Sequence, residues 1–113
     1  IYRNIAALVS GNTEGDWHDH VSEAAALEFA TNVMKVKHIV VMGHTDCGGI
    51  KASLANVLGE VNPIRQYLAP LMEVRNDVVA KGGDEKAQAR AMEQAAVRNS
   101  VVNLLSYPSV ADA

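Results

Sequence analysis

Cysteine is almost missing from this chain. Cys47 is the only one in 113 residues, which excludes an intrachain disulfide. A lone thiol suits a reducing compartment, with the cytoplasm as the default. Aromatic residues make up only 4%, too few to build a stacking platform for bases, so Ala and Val must fill the core. Neither sign of charge dominates. Thirteen acidic residues face ten basic ones, for a net charge of −3, and no Lys/Arg stripe is present. The electrostatic footprint of a nucleic-acid binder is therefore absent. No apolar run reaches the roughly 20 residues that a membrane-spanning helix needs. Internal repeats, low-complexity stretches and linker-like segments are lacking too, which suits a single domain over residues 1–113. Apolar residues reach 49%, enough to argue against disorder. The chain opens on Ile1 rather than Met, without a signal-peptide pattern, and stops at Ala113 without a cap. The expectation is a portion of a longer protein.

What is present is organised around residues 38–50. His38-Ile39-Val40-Val41-Met42 is apolar at consecutive positions from Ile39 onward. Such a run predicts a strand covered on both faces, as in a parallel sheet. Gly43 leads into a polar turn holding His44, Thr45, Asp46 and Cys47, and a helical pattern resumes at Gly48. Open α/β folds mount their chemistry on this kind of strand–turn–helix unit.

The rest of the chain reads as helices. Ser22 and Glu23 open one that runs to about Val36, with Ala26, Leu27, Ala30, Val33 and Met34 in one apolar stripe. A second helix runs from Gly48 to about Leu58, with Ile50, Leu54, Val57 and Leu58 turned inward. Pro63 suits the first position of a third. Its apolar face runs through Ile64, Leu68, Leu71, Met72, Val78 and Val79, and Pro70 interrupts it. Lys81-Gly82-Gly83 ends it. Asp84 then caps a long helix from Glu85 to about Leu105, and Pro108 lies beyond its end. Residues 1–9 read as the end of a strand entering a short helix. Four helices around one strand cannot close a sheet. The predicted class is therefore α/β, with a parallel-sheet core flanked by helices and a sheet that is incomplete in this chain.

His44 and Cys47 form H-x-x-C. Imidazole nitrogen and thiolate sulfur are preferred zinc ligands, and two intervening residues in a turn let both converge on one ion. The helix starting at Gly48 aims free N–H groups back at the turn, which suits a thiolate or a small anion. A buried structural Cys and a capping His are the competing reading. His18 and His20 could complete a metal site with His44 and Cys47, but a surface loop explains Trp17-His18-Asp19-His20 as well. Asp46 reads as a solvent-facing turn residue, and His38 as structural. Tyr67, Met72 and Met92 read as packing residues. Arg65 and Arg75 could face an anion or a partner chain.

Gly43-His44-Thr45-Asp46-Cys47-Gly48-Gly49 resembles the G-H-x-x-C-G-G/A zinc motif of the β-class carbonic anhydrases. Arg3-Asn4-Ile5-Ala6 is similar to the family's R-N-x-A segment. Residues 26–41, 68–75 and 93–105 resemble its helices and the strand before the His. The resemblance implies a zinc lyase that interconverts carbon dioxide and bicarbonate, with His44 and Cys47 as zinc ligands. It makes Gly48 the substrate-facing backbone N–H, zinc the activator of water, and a homo-oligomer the assembly. The family's other motif, C-x-D-x-R, supplies a further Cys ligand and an Asp–Arg pair. It has no counterpart here, and the family's closing strand is also absent. The resemblance thus implies half a zinc site, a chain inactive alone, and no catalytic residue within it beyond the zinc ligands. A non-catalytic remnant of the fold, or a relative that hydrolyses carbon disulfide or carbonyl sulfide, are the alternatives.

Overall fold

A computed structural model describes residues 1–11, 20–55 and 62–112 of the chain, and among these every regular element is helical. Helix α1 spans Val21–Glu28 and continues into a π-helical turn, Phe29–Val33. There the Thr31 hydroxyl donates to the Leu27 carbonyl at 2.9 Å, the back-bonding that bends helices. Helix α2 is Gly48–Ala55 and α3 is Pro63–Leu68. A 3-10 turn, Ala69–Leu71, joins α3 to α4, Met72–Ala80. Helix α5 is Glu85–Leu104 and α6 is Pro108–Ala111.

The boundaries follow local chemistry. Pro63 takes the first turn of α3, and the Asn62 side chain accepts from Arg65 N at 2.8 Å. Pro70 lacks the N–H that would continue α3, so the chain tightens into the 3-10 turn. After α4, Gly82 and Gly83 take φ of 75° and 100°, values that residues with a Cβ rarely adopt. Asp84 accepts from Ala87 N at 2.8 Å and starts α5. Pro108 does more than follow α5, because it opens α6.

The predicted sheet does not form. Among the described residues there is no strand, so the α/β class with a parallel-sheet core is overturned and this chain is helical. The reason lies in residues 38–42. A strand exists only through a ladder of hydrogen bonds to a neighbour, and among the described residues this segment has none. The run that should be covered on both faces is open, with Val40 82% and Met42 83% exposed. The α1 stripe is likewise only partly covered. Ala26, Leu27 and Ala30 are half-buried, whereas Val33 and Met34 are exposed. Residues 1–9 hold a 3-10 turn, Ile5–Ala7, rather than a strand end.

The core sits where α5 packs against α2 and α4. Met92, Ala96, Ser100 and Leu104 recur every four residues on its buried face. With Cys47, Ile50, Leu68, Leu71 and Val78, the first two of these form one apolar cluster that also takes in Ala6 and Leu8. Helix α5 further satisfies the backbone of the N-terminal segment. The Ser100 hydroxyl donates to Ala7 O at 2.7 Å and accepts from Val9 N, while Asn103 Nδ2 donates to Val9 O at 2.8 Å. Asn4 closes the Ile5–Ala7 turn from within, donating to Leu8 O and accepting from Leu8 N. That closure accommodates Ala6 and Ala7 at positive φ.

Candidate metal centre

The turn at residues 43–47 sits between the uncovered segment 38–42 and the first turn of α2. His44 is exposed and Cys47 is a buried, free thiol. His44 Nδ1 lies 2.7 Å from Thr45 O. A carbonyl can only accept, so Nδ1 is the donor of this bond, and in the neutral ring that arrangement leaves the Nε2 lone pair free. Metal-bound histidines adopt this state, with the far ring nitrogen donating to a carbonyl.

Asp46 has φ of 57°, the left-handed region that Asp tolerates better than most residues. Its side chain is 76% exposed and lies 3.9 Å from the Lys51 amine, itself 63% exposed. Asp46 is thus the solvent-facing turn residue that its sequence position predicts. Its backbone has the larger role. Asp46 N donates to Glu93 Oε2 at 2.9 Å. Glu93, on α5, also accepts from Arg90 Nη1 through both carboxylate oxygens, at 2.8 and 3.0 Å.

The glycines divide by need. A Cβ on Gly43 would come within 2.9 Å of Val97 Cγ2. One on Gly49 would meet Ile5 Cγ2 at 2.6 Å and Ala6 N at 3.2 Å. Gly43 and Gly49 therefore permit close approach of α5 and of the N-terminal segment. Gly48 has open space around the same position and is exposed. Its backbone N–H, on the first turn of α2, is approachable from solvent.

His44 and Cys47 line one cavity of about 680 Å³. Its walls come from residues 1–9, α1, residues 38–44 and α5, and they are mainly apolar. Glu23 and Glu93 are its carboxylates and His38 its second imidazole. His38 is exposed. His20 does not line this cavity. It stacks edge-on against Tyr107, with ring centroids 5.8 Å apart. His18 lies outside the described residues, as do Trp17 and Asp19.

Beside the cavity lies a second polar cluster that sequence reasoning missed. Glu23 is 8% exposed. Its Oε2 accepts from Ser10 N at 3.1 Å and from the Tyr107 hydroxyl at 3.0 Å. Ser10 O lies 2.7 Å from the same hydroxyl, so the two acceptors share its single proton. Burial raises the Glu23 carboxyl above its ordinary value, against the lowering effect of its two hydrogen bonds and His20. Burial, with the Glu23 charge behind it, also raises the Tyr107 phenol. Tyr67, whose hydroxyl donates to Ile5 O at 2.7 Å, is pushed up to about 12 mainly by burial.

The donor chemistry fits zinc in kind. One imidazole in the correct tautomer and one thiol are two of the four ligands a tetrahedral site takes. The number falls short, because no group of three or more His, Cys, Asp or Glu could hold a metal among the described residues.

No described helix is long and apolar enough to cross a membrane. No solved structure matches the chain. The family described as carbonic anhydrase matches residues 1–113. A carbonic anhydrase of Candida albicans is 36% identical over 115 residues, covering 96% of this chain and 37% of its own length. Beta carbonic anhydrase 3 of Arabidopsis thaliana is 35% identical, covering 97% and 44%. Beta carbonic anhydrase 6, mitochondrial, of the same plant is 30% identical, covering 97% and 38%. The chain thus spans less than half the length of these curated relatives. With the G-H-x-x-C-G-G turn carried intact at residues 43–49, the chain belongs to the β-class carbonic anhydrase family.

Proposed function

We propose that this chain contributes one half of the zinc site of a carbonic anhydrase that interconverts carbon dioxide and bicarbonate. The observation that carries this reading is the state of His44. Its Nδ1–H is spent on Thr45 O, which leaves Nε2 to a metal three residues ahead of the Cys47 thiol. Zinc, when bound, supplies the acidity that makes water nucleophilic near neutral pH. The chain's own residues do the rest. His44 Nε2 and Cys47 Sγ hold the ion. Gly48 N–H, at the α2 N-terminus, donates to the developing anion. Val41 and Val97 line the cavity beside both ligands and give it an apolar wall that suits an uncharged gas. The family's ligand set takes a second Cys, and Cys47 is the only one in the sequence, so on this reading the chain alone is inactive. A homo-oligomer belongs to the same reading, supported by the apolar surface left open at Val33, Met34, Val40 and Met42. So does a reducing compartment such as the cytoplasm, which the lone thiol favours.

Zinc analysis and stopped-flow hydration of carbon dioxide test the proposal on the purified chain. The expected result is substoichiometric zinc, lost further in His44→Ala and Cys47→Ser, with hydration at background. One tight zinc per chain with rapid hydration would overturn the half-site. Zinc content unaffected by either substitution would leave the non-catalytic remnant as the better reading.

A further inference from the structure

We propose that Glu93 is a positioning residue for the His44–Cys47 half-site, acting through the backbone of Asp46; this rests on the zinc reading above. Helix α5 grips the turn at two points. Glu93 accepts the Asp46 N–H at 2.9 Å, between the two ligands in sequence. Four residues further on, Val97 closes on Gly43, immediately before His44. Residues i and i+4 stand on one helix face, so a single face of α5 holds both ends of the segment carrying the imidazole. Glu93 is itself held. Its side chain is 11% exposed, and Arg90, one turn earlier, engages both carboxylate oxygens. The need for a clamp is local. Asp46 at φ 57° departs from the right-handed geometry that an L-residue prefers. A charge-assisted hydrogen bond to its N–H offsets that cost. Without the bond the turn can relax, and His44 and Cys47 lose the fixed relation in which both line one cavity. Glu93 also lines the cavity with both ligands, but it joins the site as an orienter rather than as a third donor.

The test is titration of the 113-residue chain with cadmium(II), read by the ultraviolet thiolate-to-metal charge-transfer band. Helical circular dichroism and amide hydrogen exchange at Asp46 are followed alongside. The unsubstituted chain shows the band, and Cys47→Ser loses it. Glu93→Ala weakens the midpoint by roughly tenfold or more, the scale of a lost bond to a charged group. Glu93→Gln keeps a carbonyl acceptor at the same reach and stays within about threefold of the parent. Exchange at Asp46 N–H accelerates in Glu93→Ala and not in Glu93→Gln. If Glu93→Ala loses its helical signal, Arg90→Ala decides. Weaker cadmium binding with faster Asp46 exchange supports the clamp, and parent values for both overturn it. A folded Glu93→Ala chain that binds as the parent does overturns the positioning role and leaves the zinc reading intact, as does Glu93→Gln binding as weakly as Glu93→Ala. No band in the unsubstituted chain, or a band that survives Cys47→Ser, overturns both.

Discussion

Glu23 and Glu93 both reach from a helix to accept a backbone N–H from an irregular segment, Ser10 in one case and Asp46 in the other. Their surroundings separate them. Glu23 is buried and shares its oxygen with the Tyr107 phenol. Glu93 carries Arg90 on both oxygens at the rim of the cavity. The same bond therefore serves two ends. At Glu23 it ties residues 8–11 and the C-terminal turn to α1, and its worth lies in stability. At Glu93 it fixes the direction of two side chains. A buried acceptor is expensive to remove because its donors are stranded, whereas a rim acceptor is replaced by water at lower cost.

Glu23→Ala should give the largest effect that separates the two. It leaves Ser10 N without an acceptor and opens a void, for a loss of about 3 kcal/mol in urea unfolding. Cadmium binding to the folded fraction should not change. A loss below that of Glu93→Ala would erase the distinction.

Gly49→Ala comes next. The new Cβ meets Ile5 Cγ2 at 2.6 Å and the Ala6 backbone nitrogen at 3.2 Å, an overpacking cost of about 2 kcal/mol. Gly48→Ala meets nothing and should be neutral or stabilising by up to about 1 kcal/mol. Thermal melts of the pair check whether the two adjacent glycines serve packing and approach separately.

Dependence on pH sharpens the comparison further. Burial holds the Glu23 carboxyl above its ordinary 4.5. A carboxyl raised in the folded state contributes fully below its unfolded value and loses that contribution as pH climbs through the folded one. Stability should therefore fall as pH rises above about 4.5 in the parent, and Glu23→Gln should flatten that part of the profile. An unchanged slope in Glu23→Gln would assign it to another group.

Lys51→Ala should do least. Its partner Asp46 is 3.9 Å away and both side chains are exposed, so the change should stay within about 0.5 kcal/mol. A larger effect would mean that the Asp46 side chain, and not its N–H, holds the turn.

The legible parts of this molecule are those whose causes are local. Pro63, Pro70, Gly82–Gly83 and Asp84 mark helix boundaries by missing donors, permitted φ values and a capping oxygen, and each lies where its chemistry requires. His44 and Cys47 were readable because their spacing is short and their residue types are rare in this chain. Glu93 was not. It lies 47 residues from Asp46, and on α5 it reads as one more polar helix residue. Ser100 and Asn103 were hidden in the same way, since their partners in residues 7–9 lie more than 90 positions away. The strand at residues 38–42 was misread for the converse reason. Its apolar run records a preference for cover on both faces, and no neighbour among the described residues supplies that cover.

By itself, then, the sequence determined the helix boundaries at Pro63, Pro70, Gly82–Gly83 and Asp84, the H-x-x-C spacing and the family, because each depends on residue types at short fixed spacing. Only the tertiary structure decided that residues 38–42 stay unpaired, that α5 takes hold of the His–Cys turn, and that Glu23 is buried beneath Tyr107. Those outcomes depend on which distant backbone groups arrive within hydrogen-bond reach once the core has closed. No local pattern encodes that arrival.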